Sequence, residues 1–484
     1  MINSLNFDAQ ELREKILDLA MRGKLVKQDT NDEPASVLLE KITKEKEQLI
    51  KEKKIKKTKP LPEITDEEKP FDIPDSWEWV RLGKVANWSA GATPSRKKRE
   101  YYLNGTIPWL KTGDLNDAVV DTTSEFITEL GAKNSSVKLN KPGNILIAMY
   151  GATIGKLGIV GKKALTTNQA CLGGEPYSGI YNWYLFYYLL ASRKSLIKLG
   201  AGGAQPNISK QKVENYLFPL PPLEEQSRIA DKIAQLFALL RKVESSTNQY
   251  EELQKLLQNK VLDLAMQGKL VEQHDDEEPA SVLLEKSRAE KAELIKEKKI
   301  KKTKPLPEIT DEEKPFDIPA SWKWVRLGEV TTLGNSTSVS PNQIEKNTPI
   351  IELKDIESKS GKLINLEYAN PVEIKSNKYS FKKGNLLFNK LRPYLKKIIL
   401  ADFDGICTTE LLPFDTFYSY NFYLYYILFS QLIFKQIEKE MQGINLPRIT
   451  PTKLKKVILP LPPLNEQKRI VNKVKELLSL ISNE

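Results

Sequence analysis

The stretch QSRIADKIAQLFALLRKVESSTNQYEELQKLLQNKVLDLAMQG, residues 226–268, decides the fold of this chain. Its apolar residues recur at alternating spacings of four and three, interrupted at Thr247 and Gln254. This heptad pattern predicts a long helix whose apolar stripe packs on another helix in a coiled coil. At about 1.5 Å per residue, the helix would be roughly 60 Å long, with Gly268 as its C-terminal stop. The stripe comprises Ile229, Ile233, Leu236, Leu240, Val243, Leu257, Val261 and Leu264.

Both ends of the chain carry shorter copies of this stripe. Near the C-terminus the first half returns as Ile470, Val474, Leu477 and Ile481, and near the N-terminus the second half returns as Leu12, Ile16 and Leu19. Laid end to end, these segments would imitate the central helix. We therefore predict that they meet and pack antiparallel on it, which closes the molecule into a ring-like arrangement with pseudo-twofold symmetry. The alternative is two unrelated amphipathic helices on a globular core.

Outside the helix, the chain repeats itself at a separation of 245 residues. The segment LIKEKKIKKTKPLPEITDEEKPFDIP, residues 49–74, returns unchanged as residues 294–319. The motif SWEWVRLG at residues 76–83 returns as SWKWVRLG at residues 321–328. Each half also ends alike, in LFPLPPLEEQ at 217–226 and ILPLPPLNEQ at 458–467.

Between these shared ends the two halves diverge. Residues 88–174 and 331–410 have little in common. Each half therefore has constant segments at both ends, which we call the frame, and a variable segment between them, which we call the body. We expect two modules that are supported in the same way but bind different targets.

The two variable bodies are predicted to be mixed α/β domains. Residues 144–150 and 385–389 indicate buried strands, each after a glycine turn. Residues 183–190 and 422–429 indicate one aromatic-rich helix in each half. These aromatic side chains could stack on bases, but an apolar run of this density favours a core position.

Lysine and glutamate dominate residues 44–59 and 290–304, and each segment precedes the stretch PLPEITDEEKP. We predict a solvated helix followed by an extended linker. The alternative, a DNA-contacting basic strip, is disfavoured because acidic residues are interleaved.

Charge and composition narrow the class of protein. The formal net charge is +11 and the isoelectric point about 9.1, which favours a polyanionic partner, either nucleic acid or an anionic membrane face. The chain has two cysteines, Cys171 and Cys407, and one histidine, His274. These numbers exclude a disulfide-rich secreted protein and leave too few ligands for a Cys/His zinc site. No signal peptide or membrane-spanning run is recognisable, and the helical seam is too narrow for membrane binding, so we expect a soluble cytoplasmic protein.

Motifs for catalysis or cofactor binding are not found. The segment GATIGKL at 151–157 is one residue short of a P-loop and lacks its Ser or Thr. His274 stands among acidic residues and is a poor general base. The pairs Glu352/Lys354 and Glu373/Lys375 match part of a nuclease motif, which chance explains in so charged a chain. We therefore predict a non-catalytic protein without a cofactor or metal of its own.

Candidate DNA contacts lie in polar, basic loops of both bodies. Arg and Lys suit guanine edges and phosphates, whereas Asn and Gln suit adenine edges. In the first body the candidates are Thr93, Arg96, Lys97, Lys98, Arg99, Lys111, Tyr150, Thr153, Lys156, Asn168 and Gln169. In the second body they are Lys354, Lys390, Arg392, Tyr394, Lys396, Lys397, Thr408 and Thr409.

Taken together, the motifs resemble the specificity subunit of type I restriction-modification systems, over essentially the whole chain. The carriers are WEWVRLG at 77–83, GATP at 91–94, IPWLKTGD at 107–114, GNILIAMYGATIGK at 143–156, TNQA at 167–170, NIS at 207–209 with PLPPLEEQ at 219–226, and PLPPLNEQ at 460–467. Each motif is weak singly, but their order and duplication are specific. The second body departs from the first, since it has KLRPYLKK at 390–397 where the first has GATIGK.

This resemblance implies two target-recognition domains separated by long antiparallel coiled-coil helices. Each domain would read half of a bipartite, asymmetric site in double-stranded DNA. The helices would dock methylation subunits, two by expectation, and restriction subunits would join them. S-adenosylmethionine, ATP and Mg²⁺ would belong to those partners. The alternatives are a non-specific DNA-binding or assembly scaffold, and a restriction enzyme acting alone.

The expected domain boundaries follow from the repeats and the resemblance. They are an N-terminal half-helix at 1–25, a charged linker at 26–75, a first recognition domain at 76–220, the spacer helix at 221–270, a second charged linker at 271–320, a second recognition domain at 321–460 and a C-terminal half-helix at 461–484.

Overall fold

The computed structural model of the chain describes residues 8–200 and 206–482. They form a first unit, up to residue 246, and a second unit, from residue 247. The helices are α1 Ala9–Met21, α2 Ala35–Lys51, α3 Leu82–Val85, α4 Glu129–Lys133, α5 Asn182–Ala191, α6 Arg193–Gly200, α7 Lys210–Asn215, α8 Leu223–Met266, α9 Ala280–Lys296, α10 Asn421–Leu428, α11 Gln431–Glu440, α12 Pro451–Leu454 and α13 Leu464–Ser482.

The first unit contains three sheets. Its strands are β1 Glu78–Arg81, β2 Ala86–Ala90, β3 Ile107–Leu110, β4 Ala118–Val120, β5 Glu125–Ile127, β6 Leu139–Asn140, β7 Ile145–Ala148, β8 Leu157–Val160, β9 Leu165–Thr167, β10 Cys171–Pro176 and β11 Leu217–Leu220. The strand orders are β2-β10-β7-β8-β4, β5-β3-β9-β6 and the pair β1-β11. Pairs β4/β8 and β3/β9 are parallel and the others antiparallel.

The second unit repeats this plan with a different body. Its strands are β12 Lys323–Arg326, β13 Ser338–Val339, β14 Pro349–Ile351, β15 Glu367–Tyr368, β16 Lys378–Phe381, β17 Leu386–Asn389, β18 Ile398–Leu400, β19 Gly405–Thr408, β20 Leu411–Phe414 and β21 Ile458–Leu461. The strand orders are β13-β16-β19-β14-β15, β18-β17-β20 and the pair β12-β21. The mixed α/β class and the internal repeat are confirmed.

The long helix is confirmed as α8, which begins at Leu223 and ends at Met266. Gly268 follows it in the left-handed conformation, with φ of +68°, which a glycine adopts without the strain that a side chain would bring. The helix begins in the first unit and ends in the second.

Each unit packs one shorter helix antiparallel on its own part of α8. In the first unit Arg13 of α1 pairs with Glu244, while Asp32, beyond α1, pairs with Arg228 at 2.5 Å. In the second unit Gln254 Nε2 donates to Ile481 O at 2.6 Å, near the end of α13. The partner helix runs against α8 in both units, as predicted. The expected meeting of the two chain ends stays a prediction, because residues 1–7 and 483–484 lie outside the described residues.

The predicted interface stripe is only partly buried. Ile229, Ile233, Leu240, Val261, Ile470 and Val474 are buried, and Leu236, Leu264, Leu477, Ile481, Ile16 and Leu19 are half-buried. In contrast, Leu12, Val243 and Leu257 are 42%, 45% and 53% exposed, so their predicted place in the interface is corrected. All three lie near the ends of the packed segments, since Leu12 and Val243 adjoin the Arg13–Glu244 pair and Leu257 is within one turn of Gln254, which contacts Ile481.

Residues 26–75 and 271–320, predicted as charged linkers with a solvated helix and an extended stretch, contain helices α2 and α9 and also make specific contacts with their units. Ala35, Leu38 and Ile42 of α2 are buried in the core of the first unit. The stretch beyond α2 is held by Arg81, whose guanidinium donates to Pro62 O at 2.8 Å and to Glu63 O at 2.7 Å. Arg326 holds residues 307–308 of the second unit in the same way. The first turns of α2 are apolar on one face, so they pack, whereas Lys44 and Lys51 farther along the helix are exposed.

A buried polar cluster fixes each recognition domain to its helix. Trp77 Nε1 donates to Glu225 Oε2 at 2.9 Å, and Gln28 Nε2 donates to Glu225 Oε1 at 2.6 Å. In the second unit Trp322 and Gln273 donate to Glu466 in the same geometry. The constant frame is therefore the same at the level of individual hydrogen bonds.

The predicted buried strands and aromatic helices are confirmed as core elements. Strands β7 and β17 are buried throughout. Tyr184 of α5 and Tyr423 of α10 are buried, and their hydroxyls donate to Pro219 O at 2.9 Å and Pro460 O at 2.8 Å. Within the described ranges, every helix is too short or too polar to cross a bilayer.

Candidate nucleic-acid interface

In the first unit, several of the predicted contact loops converge where strand β7 ends. Met149 N donates to Ala170 O, and Ile208 N donates to Met149 O, both at 2.8 Å. Ala92 N donates to Thr167 O and Asn168 N to Leu110 O, both at 2.9 Å. Residues 91–93, 110–111, 149–150, 167–170 and 207–208 thus form one cluster, the first junction. The structure brings Thr93, Lys111, Tyr150, Asn168 and Gln169 together there.

Two predicted cations at this junction share one carboxylate. Arg96 Nη1 and Lys111 Nζ each lie 2.7 Å from Glu125, and hydrogen bonds from Arg96 and then Lys111 lower the pKa of that carboxyl. The Arg96 guanidinium also lies 4.4 Å from the Tyr102 ring centroid and 4.8 Å from that of Trp109. Glu125 therefore orients both side chains and neutralises part of their charge.

The remaining candidates of the first body lie outside this cluster. Lys97, Lys98 and Arg99 are exposed on the turn into a short 3-10 helix. Thr153 and Lys156 lie in the β7–β8 hairpin, which Arg193 Nε holds through a 2.9 Å hydrogen bond to Gly155 O. Lys156 is exposed.

The second unit contains a matching junction. Lys390 N donates to Glu410 O at 2.9 Å, and Ile449 N donates to Lys390 O at 3.0 Å. They correspond to the first-unit hydrogen bonds from Met149 N to Ala170 O and from Ile208 N to Met149 O. Arg392 N donates to Pro447 O at 2.6 Å. Residues 390–392, 408–410 and 447–449 form the second junction, with Lys390, Arg392, Thr408 and Thr409 among them.

Three lysines predicted to contact DNA are engaged within the fold of this unit. Lys396 Nζ donates to Phe429 O at 2.8 Å and lies 4.6 Å from the Phe434 ring centroid, and burial lowers its pKa. Lys397 Nζ donates to Leu353 O at 2.5 Å, and Lys354 Nζ lies 2.6 Å from Glu367. Arg392 and Tyr394 are exposed. Among the candidates of the 390–397 loop, Lys396 and Lys397 therefore shape the loop, whereas Arg392 and Tyr394 face solvent.

Each junction holds a buried acceptor atom without a hydrogen-bond donor among the described residues. These atoms are Asn168 Oδ1 in the first unit and Glu410 Oε2 in the second. Buried polar atoms are nearly always paired in folded proteins, and an ordered water is the ordinary partner of such an atom. The two residue types also suit base edges, because an amide pairs with adenine and a carboxylate accepts from the cytosine amino group.

Glu125, Asn207 and Arg448 were not among the predicted contact residues. Glu125 pairs with Arg96 and Lys111, and Arg448 Nη2 donates to Glu410 Oε1 at 3.2 Å. Asn207 bridges to Tyr150. Asn207 and Arg448 occupy matching positions in the repeat, which is the signal that could have identified them.

The described residues contain neither a metal-ligand cluster nor an exposed thiol. Across residues 8–200 and 206–482, no three His, Cys, Asp or Glu side chains are grouped to hold a metal ion. Cys171 and Cys407 are buried, and burial raises the pKa of the Cys171 thiol to about 12.

Comparison with known proteins identifies the family. Residues 74–254 and 319–484 each match the type I restriction modification DNA specificity domain. The specificity subunit of the type I restriction enzyme EcoAI of Escherichia coli is 31% identical, covering 98% of this chain and 89% of that protein. The EcoEI specificity subunit of the same species is 31% identical over 80% of this chain and 73% of its own length. The MjaIX specificity subunit of Methanocaldococcus jannaschii is 23% identical over 84% of this chain and 90% of its own length.

A solved structure shares the fold. One chain of a type I R-M system complex superposes with a TM-score of 0.54 and 21% identity, covering 86% of this chain and 93% of that one. The duplicated frame, the two junctions and the two family matches therefore agree with the resemblance drawn from the motifs. This chain belongs to the type I restriction-modification DNA specificity family.

Proposed function

We propose that this chain is the specificity subunit of a type I restriction-modification system, with each recognition domain reading one half of a bipartite, asymmetric DNA site. One observation carries this proposal. The family match occurs twice, at residues 74–254 and 319–484, on units that share a frame but differ in body. Two units with the same frame but different bodies are suited to binding two different half-sites. The residue types at both junctions suit base edges, with Asn168 and Gln169 in the first and Lys390 and Arg392 in the second, and this supports base contact there.

The catalytic chemistry belongs, in this proposal, to partner subunits. The helices α1, α8 and α13 dock methylation subunits, and restriction subunits join that assembly. S-adenosylmethionine, ATP and Mg²⁺ act at those partners. The specificity subunit itself contributes positioning, because binding to a defined sequence decides which base a partner reaches.

Methylation mapping tests the proposal. The chain is co-expressed with its methylation subunit in a host without other methylation systems, and modified bases are mapped across the genome. We expect methylation at one recurring bipartite motif, which disappears when this chain is omitted.

Methylation that is unchanged without this chain, or that follows no common motif, would contradict the specificity role. The alternative of a non-specific scaffold would then be preferred, since a scaffold supports assembly without selecting a sequence.

A further inference from the structure

Two identical lysine-rich segments lie in equivalent places in the two units. We call residues 51–59 the first arm and residues 296–304 the second arm, and both read KEKKIKKTK. They belong to the segment of 49–74 that returns unchanged at 294–319, although the bodies beside them differ. A surface that stays the same beside different reading bodies indicates a ligand that is the same at both places.

The arms also share one conformation. Lys53 and Lys298 have φ of 59° and 58°, the left-handed region that turns the chain out of α2 and α9. Farther along, Arg81 and Arg326 bind the carbonyl oxygens of residues 62–63 and 307–308. Each arm is therefore fixed at both ends and presents the same side chains to solvent.

The charge of each arm is almost entirely unpaired. An arm contains six lysines and one glutamate. In the first arm Glu52 pairs with Lys54 at 2.7 Å, and in the second Glu297 pairs with Lys299 at 2.8 Å. The other five lysines of each arm are exposed and have no carboxylate partner in the part of the chain that the structure describes; they are Lys51, Lys53, Lys56, Lys57 and Lys59, then Lys296, Lys298, Lys301, Lys302 and Lys304.

Each arm remains a basic strip despite its acidic residue. Interleaved acidic residues argued against a basic strip, but the single glutamate within each arm is already engaged with one lysine. Five like charges so close together repel one another, and an anion with regularly spaced charges relieves that repulsion.

A short helix connects each arm to its junction. Arg81, which binds the carbonyls of residues 62–63 just beyond the first arm, also donates to Asn215 O at 2.7 Å, at the end of α7. The other end of α7 follows Ile208 of the first junction, so about 9 Å of helix separates Asn215 from that junction. In the second unit Arg326 donates to Lys456 O at 2.7 Å, just beyond α12, and Lys301 N donates to Asn335 Oδ1 at 2.9 Å.

We propose that the two arms bind DNA phosphates next to each half-site, without reading sequence. This inference rests on the proposed function, because it assumes that DNA lies on both junctions. Bases differ between half-sites, but phosphates do not, which explains why the arms are identical while the bodies diverge. Lysine ammonium groups are mobile point charges that suit phosphates rather than base edges.

Salt dependence of DNA binding tests the arms. The full-length chain, assembled with its methylation subunits, is compared with the variant K56Q/K57Q/K301Q/K302Q, which alters extended segments outside helices and strands. Each phosphate contact contributes about 0.9 to the slope of log K against log salt. We expect the slope to fall by at least about 2. The loss of affinity at fixed salt should be equal for the target duplex and for an unrelated duplex.

A matched control removes the same charge from paired lysines outside the arms. The variant K41Q/K69Q/K286Q/K314Q alters lysines bound to Glu33, Asp66, Glu278 and Asp311. It should leave the slope unchanged. The single-arm variants K56Q/K57Q and K301Q/K302Q should each give half of the full effect, equal to one another despite the different bodies.

Three outcomes would count against these proposals in distinguishable ways. In one outcome, the parent complex prefers one sequence while the arm variant keeps the parent's slope of log K against log salt. That result would overturn the proposed phosphate contact and leave the proposed function intact. Loss of methylation subunits from the arm variant but not from the control would assign the arms to a protein partner and overturn it as well. A parent complex without preference for any sequence would instead contradict the proposed function.

Discussion

At the scale of single residues, the buried carboxylates of Glu225 and Glu466 are the least expected feature. Burial raises the pKa of each, although a tryptophan and a glutamine donate hydrogen bonds to both. The residue types at these positions were visible in the repeat, but their pairing was not. Trp77 and Glu225 are far apart in sequence, and no local pattern encodes that contact.

Replacing Glu225 with glutamine should change how stability depends on pH. A carboxyl whose pKa is raised by folding contributes stability that is fully present below its unfolded pKa and lost as the pH rises through its folded pKa. Glutamine does not ionise. Relative to the parent, E225Q should therefore gain stability as the pH is raised from the acidic range to neutrality, as measured by thermal unfolding. The control E224Q changes the exposed neighbour, and an equal difference from the parent at every pH would contradict the prediction.

The junctions show the same limit of sequence reasoning. Arg96 and Lys111 could be proposed from residue type and loop context, yet their shared partner Glu125 comes from β5 and was not anticipated. Likewise, Lys396 was proposed as basic and near a strand exit, although its ammonium lies over Phe434. The charge of a residue can be read from the sequence, whereas the direction of its side chain depends on its tertiary neighbours.

Glu125 provides a test of the first junction. In E125Q, Arg96 and Lys111 lose their carboxylate, so two cations become available to phosphates. We expect tighter binding to DNA of any sequence and a salt slope steeper by about 0.9 for each phosphate gained. E129Q removes the same charge from an exposed position at the start of α4 and serves as the control. Unchanged affinity in E125Q would place DNA elsewhere.

At the scale of elements, periodicity predicted the helices well and their burial less well. The heptads were sufficient to predict helix α8, because an apolar stripe at that spacing is stabilised by packing on another helix. The pattern could not show which positions of the stripe a partner helix covers, so Val243 and Leu257 were assigned to the interface although they are 45% and 53% exposed. Similarly, the apolar first turns of α2 were hidden within a highly charged segment.

Paired alanine substitutions on α8 test this burial. Ile233 is fully buried, whereas Val243 is 45% exposed. I233A should destabilise the first unit by about 2–5 kcal/mol, since it leaves a cavity in a packed interface. V243A should cost less than about 0.5 kcal/mol. Chemical denaturation of the two variants measures both values, and equal costs would show that the stripe is buried along its length.

At the scale of the whole molecule, the repeat was the most informative signal. A constant frame around a variable body predicted two equivalent units, and the structure shows the same hydrogen bonds in both frames. The detailed topology of the bodies was beyond the sequence. Their short strands mix parallel and antiparallel pairs, and such pairings depend on contacts between residues that are distant in the chain.

Exchange of one body tests the modular reading. Replacing residues 88–205 with the corresponding body of another family member should change one half-site of the methylated motif and leave the other intact. The physical reason is that the whole second unit lies outside the exchanged segment, as do the contacts of Trp77 with Glu225 and of Arg81 with residues 62–63. Genome-wide mapping of methylated bases gives the result, and a change in both half-sites would contradict independent reading.

The identical segments that carry the arms have a consequence for how such a protein diversifies. Residues 49–74 and 294–319 would be encoded by closely similar gene segments, at which strands from different copies can cross over. A crossover there transfers a complete body together with the segment that contacts it, since Arg81 and Arg326 bind equivalent carbonyls of that segment. Every such recombinant keeps these hydrogen bonds. New specificities could therefore arise by shuffling whole bodies between lineages, without an intermediate that fails to fold.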